Sequence, residues 1–125
     1  MIPSLVFLAD PDRFTEPLYM SHEDLLAMDF EYEPDPFMRL IDVARKPSTT
    51  LDRNSGDCMD WVRLCYSVLQ HEGRDPDIYL FITPRWPPLH AIVYDGEYVY
   101  SNGNVLEMTP EEYKEQTDRR WMIRR

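Results

Sequence analysis

Apolar and polar positions along this chain follow helical and strand spacings in turn. The unbroken apolar run "SLVFL" (4–8) predicts a first strand. Ser21, with Asp24 three residues on, gives a helix start in the form of a capping box, and "EDLLAM" makes a short helix. In "EPDPFMRLIDVARK" (33–46) prolines stand in the first turn, and Phe37, Leu40, Ile41 and Ala44 recur at helical spacing, which predicts another helix. The polar "KPSTTLDRNSG" (46–56) predicts an exposed loop.

The clearest element follows. Asp57 caps a helix running from Cys58 to about His71, with Asp60 at its third position and Gly73 as its stop. Val62, Cys65 and Leu69 mark its buried face. Three strand-like runs come next, at 78–83, 89–94 and 97–102, and Asp95-Gly96 predicts a two-residue hairpin between the last two. Thr109-Pro110-Glu111-Glu112 opens a final helix, and "RRWMIRR" brings four arginines at 119–125. This order predicts a single α+β domain over 1–125, with a central cysteine-bearing helix packed on a small antiparallel sheet.

Composition narrows the function classes. With 23 acidic against 13 basic residues the formal charge is −10, which argues against nucleic acid and for a basic protein partner or simple solubility. No apolar run reaches the ~20 residues a membrane span needs, and the start of the chain lacks the marks of a signal peptide. Cys58 and Cys65 fall about 10 Å apart along one helix, too far for a disulfide. Free thiols without a signal predict a reducing cytoplasm. The three histidines and two cysteines show no metal-ligand spacing, only four glycines are present, and no cofactor is expected.

Cys58 is the candidate for chemistry. At the first position of a helix a thiol feels the positive end of the helix dipole, which favours the thiolate, while the carboxylates of Asp57 and Asp60 oppose it. An imidazole would tip that contest, and His90 is the candidate. With a two-residue loop at Asp95-Gly96, His90 faces Ser101, and His90, Ile92, Val99 and Ser101 share one face that can pack on the Cys58 helix. A slip of one residue would bring Asn102 to the ring instead. Either side chain could orient the imidazole as the third member of a nucleophile, base and orienter set. The Cys58 backbone N–H, with the Asn54 side-chain amide, could form an oxyanion hole. Trp61 or Trp86 could wall a substrate groove. The plain alternatives are a packed cysteine, a packed histidine and a turn asparagine; Cys65, in mid-helix, is read as core.

"GDCMDWVRLCYSVLQ" followed by "LHAIVYDGEYVYSNG" resembles the bacterial and phage transglutaminase-like cysteine proteinases of the papain-like group. Gly56, Asp57, Cys58, Asp60 and Trp61 match the first part of the family's pattern, and His90, Ala91, Ile92 and Val93 the second. The match covers roughly residues 50–105. The resemblance implies a papain-like core, Cys58 as nucleophile and His90 as general base. It implies a thiol-dependent acyl-transfer enzyme (cysteine peptidase, amidase or transglutaminase-like) acting on an amide or isopeptide bond of a protein or peptide. The cytoplasm would then be bacterial, or the host's if the chain is phage-encoded. The chain departs from the pattern where the family has aspartate: Ser101 stands there, followed by Asn102. Three outcomes stay open: a Cys-His-Asn enzyme, a weakened enzyme, or a catalytically inactive acidic binding or inhibitor protein on the same fold.

Overall fold

The computed structural model describes residues 2–18, 20–33, 43–44, 46–82, 89–117 and 121–124. The expected α+β class holds: among the described residues, five α-helices accompany a five-stranded antiparallel sheet. Its strands are β5 (Asp77–Ile82), β6 (Leu89–Tyr94), β7 (Val99–Ser101), β8 (Asn104–Leu106) and β9 (Trp121–Arg124). They lie in the order β8-β7-β6-β5-β9, so β6 is central.

The first half corrects three expectations. "SLVFL" belongs to a helix, α1 (Ser4–Ala9), preceded by a two-residue strand β1 (Ile2–Pro3). A short apolar run has no period of its own, and here the local hydrogen bonds of a helix won. A 3₁₀ turn follows at Pro11–Phe14, then α2 (His22–Ala27), which starts at Ser21 as expected, with the Ser21 N–H donating to Asp24 Oδ2 at 2.8 Å. The helix expected over 33–46 falls largely outside the described residues. Its described end, Val43–Ala44, is instead strand β3, paired antiparallel with β1.

The segment read as an exposed loop is helix α3 (Pro47–Arg53). Proline at its first position costs no hydrogen bond, and the Glu16 carboxylate accepts from Ser48 N at 2.7 Å and Ser48 Oγ at 3.1 Å, a cap that comes from distant sequence. Asn54 ends α3 in the left-handed conformation (φ 52°). Strand β4 (Ser55–Gly56) then pairs in parallel with β2 (Glu31–Tyr32).

Helix α4 (Cys58–Glu72) matches its prediction closely, with Asp57 as N-cap and Gly73 (φ 90°) at its end. Every residue from Cys58 to Leu69 is buried, so the helix is enclosed all round and not only along one stripe. Two of its polar members meet backbone groups from the first part of the chain. Ser67 Oγ accepts from Glu16 N at 3.2 Å, and Arg63 Nη2 donates to the Phe14 carbonyl at 3.4 Å. Helix α5 (Pro110–Gln116) also forms as expected, with Thr109 Oγ1 accepting from Glu112 N.

The sheet separates two apolar layers. Ile78, Ala91, Val93 and Tyr100 join Val62, Cys65 and Leu69 of α4 on one face. Phe81, Ile92 and Val99 join Tyr113 of α5 on the other. Alternation along each strand makes this division. The β6–β7 hairpin is wider than predicted: Tyr94 pairs with Val99 and Val93 with Tyr100, and Asp95 N bonds Tyr98 O across a four-residue loop. The Asp95 side chain builds that loop, its Oδ1 accepting from Glu97 N at 2.9 Å and Tyr98 N at 2.7 Å. The two-residue turn lies one hairpin later, at Asn102-Gly103 (φ 49° and 87°), which joins the paired Ser101 and Asn104.

Candidate functional site

The start of α4 is built from its own sequence. Asp60 N donates to Asp57 Oδ1 at 3.0 Å and Asp57 N donates to Asp60 Oδ2 at 3.1 Å, a reciprocal capping box made of two aspartates. The Asp60 side chain reaches back across Gly56, so a β-carbon at residue 56 would lie 2.6 Å from Asp60 Oδ2. Gly56, Asp57 and Asp60 of the "GDCMD" stretch therefore have structural roles in starting this helix. Trp61, the next residue, is fully buried with its ring 4.6 Å from that of Phe30. It is a core residue, not a groove wall; Trp86 lies outside the described residues.

Cys58 occupies the first position of α4, as expected, and is 2 % exposed. Three residues into the same helix surface from Asp60, the guanidinium of Arg63 is also buried. Burial pulls its pKa down, while the charges of Glu16 and Asp60 push it up. Cys65 sits in the core beside Tyr100 and burial raises its thiol well above the ordinary range, which agrees with an inert packing cysteine. Neither cysteine is in a disulfide.

His90 is 3 % exposed and its ring is held by hydroxyls. Nε2 lies 3.0 Å from Ser101 Oγ and 3.0 Å from Tyr113 OH, and those two oxygens are 2.7 Å apart. The expected partnership of His90 with Ser101 is therefore present. The wider loop shifts the pairing by two residues, and an even shift leaves each side chain on its original face. Asn102 belongs to the opposite parity and to the turn, so Ser101, not Asn102, meets the imidazole. Tyr113 was missed in the sequence. Its only signal was its position one turn into the final helix, and nothing local linked that helix to His90.

One expectation needs correction. The face carrying His90, Ile92, Val99 and Ser101 packs on α5, not on the Cys58 helix. Helix α4 takes the alternate residues Ala91, Val93 and Tyr100. The reason is the second helix: Tyr113 offers the ring a hydroxyl partner within an apolar layer, whereas the α4 face supplies close-packed aliphatic side chains. Cys58 thus belongs to the α4 layer, and His90 turns toward α5.

Asn54 is likewise committed elsewhere. Its Nδ2 donates to the Asp29 carbonyl at 2.7 Å while its backbone ends α3, a turn role and not an oxyanion donor. Among the described residues no group of three or more His, Cys, Asp or Glu is gathered to hold a metal, and no helix is long and apolar enough to cross a membrane. No protein-family model, curated protein or solved structure matches this chain.

Proposed function

We propose that this chain is a binding protein on a papain-like, transglutaminase-like core that engages a basic protein surface, with Cys58 and His90 retained as packed residues and not as a catalytic pair. The observation that carries this reading is the alternation along β6, which turns Ala91 and Val93 toward α4 and His90 toward α5. A nucleophile and its base need to come within ~3 Å of one another. Here Cys58 lies in the α4 layer and the His90 ring turns toward Tyr113 of α5, each almost fully buried.

The surface supports the second half of the reading. Among the described residues fifteen exposed side chains are Asp or Glu, and four are Lys or Arg. A field of that sign attracts cationic surfaces and speeds their encounter. The test is binding of a fluorescent polylysine peptide, with polyglutamate of equal length as control. Salt-sensitive binding of polylysine alone is expected; equal behaviour of the two peptides would defeat the reading.

The helix-start position of Cys58 favours a second reading, a thiol-dependent acyl-transfer enzyme acting on an amide or isopeptide bond. That reading requires a base at the sulfur. An activity-based thiol probe that labels the native protein at Cys58, and labels His90→Ala far more slowly, would establish it over the first.

A further inference from the structure

Strand β9 forms one rim of the sheet. Among the described residues its strand neighbour is β5 alone, so every second residue turns its N–H and C=O away from the ladder. At the opposite rim β8 is three residues long and α2 lies against it. β9 stands open to solvent: Ile123 is 51 % exposed and the Arg124 side chain 64 %.

We propose that this rim docks an extended acidic segment of a partner protein, which joins the sheet as one more strand. Charge selects the occupant. Four arginines and no acidic residue fall within residues 119–125 of a chain whose formal charge is −10. One of them, Arg124, lies on the strand itself, where its Nη2 donates to Asp77 Oδ2 of β5 at 2.8 Å. An exposed pair of this kind is held weakly, and a guanidinium has donors for further carboxylates. A second copy of the chain is the wrong occupant. Pairing β9 with β9 brings Arg124 and its flanking arginines beside their own copies, and like charges across a ladder repel.

Register gives the occupant's pattern. Met122 and Arg124 pair with Phe81 and Tyr79, which belong to the α5 layer, while Ile123 pairs with Leu80 on the α4 side. A strand laid along β9 therefore meets the arginine on one face and an exposed isoleucine on the other. Acidic residues alternating with β-branched apolar ones match both. Polyglutamate has no apolar positions and does not match, so this edge is separate from the acidic surface that attracts polylysine.

The experiment follows the fluorescence anisotropy of a labelled peptide of alternating Glu and Val on titration with the full chain. A second peptide of the same sequence carries N-methyl groups on its backbone nitrogens, which keep its charge and remove its ladder donors. The first peptide is expected to bind saturably. Binding should weaken about tenfold or more for the methylated peptide, and likewise for the first peptide on Arg124→Glu. Equal binding of the two peptides would mean that charge alone acts, and unchanged binding by Arg124→Glu would place the peptide elsewhere. No binding would mean that the arginines only guard the edge. A dimer of the native chain that Arg124→Glu dissociates, measured by sedimentation, would give the edge to a second copy. Each of these four results would overturn the proposal.

Discussion

The carboxylate of Asp60 occupies the space above Gly56: Oδ2 lies 2.6 Å, and Cβ 2.7 Å, from where a β-carbon on residue 56 would be. That side chain cannot swing aside freely, because Oδ2 also accepts the Asp57 N–H. Gly56→Ala should therefore lower stability by about 1–3 kcal/mol through overpacking and loss of the cap. Asp60→Ala should also destabilise, and the double variant should cost less than the sum of the two. Urea denaturation midpoints of the four proteins give the cycle; strict additivity would mean the two residues do not act as one unit.

Asp95 joins the sheet to the end of α4. Its side chain is fully buried, with Oδ2 accepting from Tyr100 OH at 2.7 Å and from Arg74 Nη1 at 3.0 Å. Burial pushes this carboxyl up, but hydrogen bonds from Tyr98 N, Tyr100 OH and Glu97 N, together with the Arg74 charge, outweigh it and hold the pKa below the ordinary value. A group depressed in the folded state stabilises at pH above its unfolded value, and that contribution fades as pH falls through the folded one. Asp95→Asn should thus destabilise at neutral pH and flatten the loss of stability on acidification. If the variant and native curves run parallel from neutral to acid pH, Asp95 is not a linked group.

The three hydroxyl and imidazole atoms of His90, Ser101 and Tyr113 form a closed triangle within an apolar layer. Removing one member leaves the others buried with fewer partners. Tyr113→Phe and Ser101→Ala should each cost about 1–2 kcal/mol, with a coupling between them of about 0.5 kcal/mol or more. Thermal or urea unfolding measures both terms. Losses near zero would show that water replaces these bonds and that the layer is open.

Legibility in the sequence followed the range of the interactions. Helices α2, α4 and α5 could be read because their caps are local: Ser21 with Asp24, Asp57 with Asp60, Thr109 with Glu112. Helix α3 was misread because its cap is Glu16, some thirty residues away, and a polar stretch with Pro, Ser and Thr looks like a loop without it. The Asp95-Gly96 turn was misjudged because Asp95 spends its side chain on the loop's own amides, which widens it. The faces of β6 followed from alternation, and so did the pairing of His90 with Ser101. Which helix covers which face depends on tertiary contacts such as Tyr113 with His90, which no local pattern encodes. The cysteine helix was therefore legible, and its separation from the histidine was not.

The separation of Cys58 from His90 is tested most directly by the pH dependence of Cys58 alkylation in the native protein and in His90→Ala. With the His90 ring turned toward α5, the two rate–pH profiles should coincide. A profile displaced to higher pH in His90→Ala would mean that the imidazole supports the thiolate, and would contradict the separation.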